Sequence, residues 1–344
     1  MNLPERIECE TQLDELLTTP STALVEVFRT LADPLIILGA GGKMGPSLAL
    51  LARRAAQQAQ SQVRIVAASR FSDPDSRAEL EKGGVETYSA DALDRDQLAK
   101  LPDSANVVYL VGMKFGTSSD PLPTWATNTI APVHVCERFA GAKIVALSTG
   151  NVYPLVPVEA GGSHESDPLT PLGEYPNAAV ARERIFQYYA ARHATPTVLM
   201  RLNYAHDLRY GVLTELAGKI WRGEPIDLTM GYFNAIWQGD ASDMILRSFA
   251  HCQVPAEVIN LTSPDRFSVR AVADRLGTLI ERQPQFVGSE APTALLSNTE
   301  RMQQKFGMPQ VDLEQMLKWI AHWTVIDGPT WSKPTHFATR DGKF

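Results

Sequence analysis

The chain has 344 residues, 44% of them hydrophobic, with a formal net charge of -7 and a pI near 5.6. That is enough for a large α/β domain plus a smaller second one, with ample apolar surface to bury. An acidic balance with no local basic patch excludes a broad field for nucleic acid or anionic lipid, and no apolar run approaches the ~20 residues of a membrane helix.

Residues 11–31 read as helix, with Leu13, Leu16, Leu17, Leu24, Val27, Phe28 and Leu31 at spacings of three and four and a break around Pro20. This is a helical extension over 1–33; it lacks the apolar core and cleavage site of a secretory leader, so a cytoplasmic location is expected. PLIILGAGGKMG, 34–45, then runs from strand through glycines into the helix formers SLALLARRAAQQAQ. VRIVAASR reads as a second strand, VETYSADAL as a third, DRDQLAKL as a helix and ANVVYLVG, 105–112, as a fourth strand whose continuous apolar run suits burial on both faces. The helix TWATNTIAPVHVCERFA and the strand KIVALSTGNVY follow. Beyond residue 200 the pattern loosens into RLNYAHDLRYGV, a helix through Trp221, and the loop-rich DLTMGYFNAIWQGD, as in a smaller lobe capping a sheet. The last stretch, GPTWSKPTHFATRDGKF, has too little periodicity to assign and is either a packed tail or a lid. Cys9, Cys136 and Cys252 are unpaired in spacing and expected to be buried thiols, and the seven histidines show no ligand spacing, so no metal is expected.

Gly39, Gly42 and Gly45 give GxxGxxG between a strand and a helix, the context in which such a triplet reads as a dinucleotide fingerprint. A turn without Cβ atoms lets backbone approach a pyrophosphate, which the free N–H groups of the helix start then bind; Lys43 and Met44 belong to the same loop. The expected fold is therefore α/β, a Rossmann-type doubly wound parallel sheet over 34–200 that binds NADP or NAD. A smaller C-terminal substrate-binding lobe takes up most of 201–344, with some segments returning to the sheet. The second strand ends in Ser69 and Arg70 where an NAD site usually has an acid for the ribose 2'-hydroxyl, and an arginine there suits the 2'-phosphate of NADP.

The ordered pieces LGAGGKMG, SADAL, VVYLVGMKFG, TWATNTIAP, IVALSTGNVYP and PLGEYPNAAVARE resemble the extended short-chain dehydrogenase/reductase family, the nucleotide-sugar epimerases and dehydratases, over roughly 35–265. The resemblance implies Asp91 and Ala92 by the adenine, Val111 and Gly112 along the cofactor trough, and Asn128 as the helix asparagine. It implies Thr149 and Tyr175 as the catalytic hydroxyl and phenol, and a homodimer formed by pairing two helices of each copy. The family pattern YxxxK breaks, because Ala179 stands where the lysine belongs. A free phenol titrates near ~10, so a fixed cation is needed to favour phenolate near neutral pH. Two cations could substitute by geometry, Arg182, two helical turns beyond Tyr175, and Lys114, in a segment that resembles the GLK bordering the cofactor in UDP-galactose 4-epimerases; Lys114 is preferred, and for Arg182 a solvated surface charge is the favoured reading.

MRLNYAHDLRYG looks like the family's substrate-side strand end with altered spacing. Asn203, Arg209 and Tyr210, with Tyr232, Asn234 and Trp237, would offer amide, guanidinium and aromatic faces to a carbohydrate-derived small molecule. Two functions remain open: hydride transfer on a sugar, sugar acid or nucleotide sugar, and a catalytically silent NAD(P)-binding regulatory or sensor protein.

Overall fold

The computed structural model describes residues 3–114, 116–331 and 333–343; Phe115 of the VVYLVGMKFG segment, and Ser332 and Phe344 of the last stretch, lie outside them. Seven parallel strands form the central sheet: β1 (Leu35–Leu38), β2 (Ile65–Ser69), β3 (Glu86–Ser89), β4 (Asn106–Tyr109), β5 (Lys143–Thr149), β6 (Thr197–Leu202) and β7 (Glu257–Leu261). Their spatial order is β3-β2-β1-β4-β5-β6-β7, so the winding reverses between β1 and β4, and in such sheets a ligand binds outside the strand ends at that point. Alternation along a strand divides the core. In β1, Leu35 and Ile37 face one helical layer while Ile36 and Leu38 face the other, which is why the strand reads as unbroken LIIL.

One layer contains α2 (Thr22–Phe28), α3 (Gly45–Gln58), α4 (Pro74–Lys82), α9 (Gln238–Arg247) and α11 (Glu300–Phe306); the other contains α5 (Arg95–Ala99), α6 (Leu122–Arg138) and α7 (Glu174–His193). A separate core joins α8 (Val212–Arg222), α10 (Val269–Ile280) and α12 (Leu313–Val325) into the smaller lobe, together with α1 (Glu10–Leu17) through Leu13 and Leu17. Residues 3–28 therefore span both cores, since Leu24 and Phe28 of α2 pack with the sheet.

DLTMGYFNAIWQGD begins on the last residue of a short strand, Pro225–Asp227, and contains two more, Tyr232–Phe233 and Ile236–Trp237; its last three residues open α9, a helix the periodicity did not reveal. The last stretch is irregular and packed, with Phe337 buried in the lobe core. Cys9 is exposed and Cys252 half-buried, so of the thiols expected to be buried only Cys136 is. No helix among the described residues is long and apolar enough to cross a membrane.

Candidate active site

The three glycines of the turn after β1 serve different ends. Gly39 has φ +82°, and a Cβ there would lie 2.9 Å from the Val111 nitrogen, so the turn and the end of β4 meet backbone to backbone. A Cβ on Gly45 would run into the backbone of Ala40, so α3 can leave the turn this tightly only with glycine. At Gly42 the nearest atom to an added Cβ is the Gly39 carbonyl at 3.2 Å, and Gly42 itself is exposed. Packing explains the first and last glycines; the middle one keeps a surface clear before the start of α3, where backbone N–H groups favour an anion.

From this turn a cleft of about 450 Å³ follows the ends of β2, β3 and β4 and is lined by Ser69, Arg70, Asp91, Ala92, Val111 and Gly112. Gly41, not singled out from the sequence, lines it too, with Ser69 Oγ 2.8 Å from where its Cβ would be. The Arg70 side chain is 77% exposed and reaches Asp91 at 4.0 Å. Asn128 does not face the cleft: it is fully buried, its amide donating to the carbonyls of Thr124 (2.8 Å) and Met113 (3.1 Å). Its neighbours Thr127 and Ala131 line the cleft instead.

A second cavity, of about 290 Å³, shares Gly39 and Gly42 with the cleft and brings together Lys43, Met44, Gly45, Lys114, Thr149, Tyr175, Asn203 and Tyr210. Thr149 ends β5 and Tyr175 lies in the first turn of α7. The Thr149 hydroxyl oxygen accepts from the Asn151 amide at 3.0 Å and its backbone N–H at 3.2 Å. Beneath them runs a buried polar chain that the sequence reading missed. Ser148 donates to Glu183 at 2.5 Å, and Glu183 pairs with Arg201 of β6 at 2.7 Å. Arg201 donates to the Tyr153 hydroxyl at 2.5 Å, and that hydroxyl donates to Asn260 of β7 at 2.8 Å. Burial pushes the Tyr153 phenol up to about 12. Glu183 stands two turns after Tyr175 on the same helix, so this chain fixes α7 against β5 and thereby Tyr175 against Thr149. The available signal was the lone arginine in the apolar strand TVLMRL, which burial obliges to find a partner.

Ala179 is fully buried beside Val152, Tyr153 and Leu295. Arg182, read as a solvated charge, is instead 5% exposed: its guanidinium donates to Asn128 Oδ1 at 2.8 Å and the Val111 carbonyl at 3.4 Å. A Cβ on Gly112 would come within 2.6 Å of it, so a permanent cation underlies the cleft floor, held there because α7 packs directly on α6. The Lys114 ammonium lines the cavity itself, and burial lowers it to about 8. Lys43 leaves the glycine loop toward the smaller lobe: its Nζ donates to the Ala205 carbonyl at 3.1 Å and lies 4.0 Å from the Tyr210 ring centre. Burial brings Lys43 down to about 7, with Asp207 opposing and Lys114 adding to the drop.

On the substrate side, Asn203 donates to Ser297 Oγ at 3.0 Å and lies against Gly150, where any Cβ would collide with it. Tyr210 lines the cavity as well, whereas Arg209, Tyr232, Asn234 and Trp237 do not. Arg209 is bound to Asp207 at 2.8 Å and Asp14 at 3.0 Å, tying α1 to the lobe. Tyr232 stacks under Arg266, and Asn234 bridges the Asp265 carbonyl and the Ser297 N–H. Trp237 packs edge-on against Trp319 in the lobe core. Burial of a large ring accounts for Trp237, and the pairings just named account for the other three.

The reversal point, the glycine turn and the long cleft define a dinucleotide-type Rossmann protein. The profile of the NAD dependent epimerase/dehydratase family matches residues 35–228, more than half of the chain, and the chain belongs to that family. No curated protein matches the sequence significantly. Among solved structures, the fold is similar to a dTDP-glucose 4,6-dehydratase from Bacillus anthracis in complex with NAD (TM-score 0.70, 17% identity, 85% of this chain and 96% of that one). It is similar also to a UDP-glucuronic acid 4-epimerase from Bacillus cereus, in complex with UDP-4-deoxy-4-fluoro-glucuronic acid and NAD (0.71, 16%, 86% and 99%). A third is a UDP-glucose 4-epimerase from Thermotoga maritima with UDP-glucose (0.68, 15%, 85% and 98%).

Proposed function

We propose that the protein is an NAD(P)-dependent oxidoreductase or epimerase acting on a carbohydrate-type alcohol or carbonyl, with Tyr175 exchanging the proton and Thr149 holding the substrate oxygen. The observation that carries this reading is the convergence of Thr149, Tyr175 and Lys114 on one cavity that joins the long cleft at Gly39 and Gly42. The turn from Gly39 to Gly45 would hold the pyrophosphate, Ser69, Arg70, Asp91 and Ala92 the adenosine end, and Val111 and Gly112 the stretch between. When bound, the nicotinamide gives or takes a hydride. Lys114, lowered by burial to about 8, would supply the charge that Ala179 cannot, and Arg182 beneath Gly112 adds a fixed charge to the same region. NADP is the proposed cofactor, since Arg70 stands at the β2 end and no carboxylate follows that strand before Asp73; NAD, held by two of the compared structures, is the alternative. We place a homodimer contact on the outer face of α6 and α7, where Ile130 is 47% and Tyr188 55% exposed. The burial of Ala179 among apolar side chains favours the second reading, a silent NAD(P)-binding protein.

Titrating NADP and NAD by calorimetry tests the first step. Gly42→Asp should abolish binding at only a small cost in melting temperature, because an added Cβ would stand 3.2 Å from the Gly39 carbonyl, tight but without collision. Arg70→Ala should weaken NADP more than NAD by about 1–3 kcal/mol. Undiminished binding by Gly42→Asp would remove the basis of the proposal, and absence of turnover across aldoses, sugar acids, lactones and nucleotide sugars would put the silent reading first.

A further inference from the structure

The smaller cavity is cationic. Lys43 and Lys114 line it and no Asp or Glu does. The acid nearest in charge to Lys43, Asp207, is consumed by Arg209, whose Nε and Nη2 donate to its two oxygens at 3.0 and 2.8 Å. The partners the Lys43 ammonium has among the described residues are neutral, the Ala205 carbonyl and the Tyr210 ring face. Gly211 and Val212, at the start of the 11-residue helix α8, form part of the same wall, and a helix start favours negative charge. A largely buried ammonium without a counter-charge is costly, and an anion in the cavity would offset that cost.

Size narrows the anion. At about 290 Å³ the cavity is of small-molecule size, and a nicotinamide would claim part of it. The last stretch closes one side. Thr335 lines the cavity and is fixed by Glu215, to which its N–H and hydroxyl donate at 3.0 and 2.6 Å. Trp331 stacks on Tyr210 at 6.1 Å, and Arg340 donates to the Thr293 carbonyl and hydroxyl at 2.7 and 2.6 Å. Arg340 lines a neighbouring cavity of about 340 Å³ that adjoins this one at Asn151 and Leu295, so the lysines and the start of α8, not the walls, point to the anion.

Building on the reading of this cavity as the seat of hydride transfer, we infer that the substrate is a free acid of about monosaccharide size, its carboxylate held by Lys43 and Lys114 at the start of α8. Lys43 is then a substrate residue, although it stands inside the glycine fingerprint.

The test is calorimetric titration of the NADP- or NAD-saturated protein, carrying Tyr175→Phe to suppress turnover. The probes are D-glucuronate, D-galacturonate and D-gluconate, D-glucose and D-galactose as neutral counterparts, and UDP-glucose. At least one acid should bind about tenfold or more tighter than the neutral sugars, and UDP-glucose no tighter than glucose. Lys43→Met should erase the preference for the acid and leave cofactor affinity within about twofold. Lys43→Gln, which keeps a donor for the Ala205 carbonyl, should behave alike and guards against misfolding. The inference is overturned if no acid is preferred, if UDP-glucose binds tightest, or if Lys43→Met weakens the cofactor instead. Acid binding without turnover by the Tyr175 protein would fail the hydride-transfer reading alone; turnover of neutral sugars with no preference for acids would fail this inference alone.

Discussion

Thr149 and Tyr175 come to one cavity from the end of a strand and the start of the helix that follows it, and their separation is fixed by neighbours that do no chemistry. Tyr175→Phe removes the exchanging proton and should lower turnover by a factor of about 10²–10⁴ while sparing cofactor affinity. Lys114→Met keeps the volume and deletes the charge, so kcat should fall and the tyrosine-dependent limb of the pH–rate profile should move to higher pH. Should Arg182→Met produce that shift and Lys114→Met not, the guanidinium beneath Gly112 is the cation that matters. At this scale the sequence was legible wherever a residue type and its chemistry coincide, as at Gly42 or Tyr175. It was not legible for Arg182 and Lys43, because the direction a long side chain takes is decided by the helix or lobe packed above it.

The element that sets the geometry is α7. Its pairing with β5 and β6 rests on the fully buried Glu183, which accepts from Ser148 and Arg201 together. Removing one partner leaves the other charge buried and alone, so Glu183→Gln or Arg201→Met should each cost about 3–5 kcal/mol in denaturant unfolding. The double variant Glu183→Gln with Arg201→Met should cost less than the sum of the two, and full additivity would show that the pair does not act as a unit. Periodicity revealed the alternation of strands and helices, since inner strands such as β1 and β4 are buried on both faces, while the edge strand β3, ETYS, is not. It failed at α9, where Gln238, Asp240, Ser242 and Asp243 are all buried on a helix wedged between the sheet layer and the lobe. Its apolar stripe is confined to Ala241, Met244 and Ile245 behind a polar first turn, too short to stand out from the loop before it.

For the molecule as a whole, burial of Lys43 links stability to pH. Its ammonium titrates at about 7 in the fold against an ordinary value of 10.5, so between those values the unfolded chain binds the extra proton and stability rises with pH. The contribution is present above 10.5 and lost as pH falls through 7. Lys43→Met should therefore gain on the parent protein as pH drops from 10.5 to 7, by on the order of a few kcal/mol, with a constant difference below. Unfolding curves across that range check it, and parallel pH dependences would mean that Lys43 is not buried as described. His206, fully buried and lowered to about 3 by burial and by Lys43, has the same sign further down: stability is lost as pH falls from 6.5 toward 3.

The first and last parts of the chain meet on one surface. The Pro4 carbonyl accepts from the Trp319 indole at 2.9 Å, His322 lies 2.9 Å from Glu8, and Leu13 and Leu17 share a core with α12. These contacts join residues more than 300 positions apart, so α1 lacks its seat against α12 until the segment that carries α12 has been made. The strands of the sheet precede that segment and can order before it, whereas the core of the smaller lobe closes only when α12 is in place, and until then part of the apolar face of α1 is a surface for chaperones to cover.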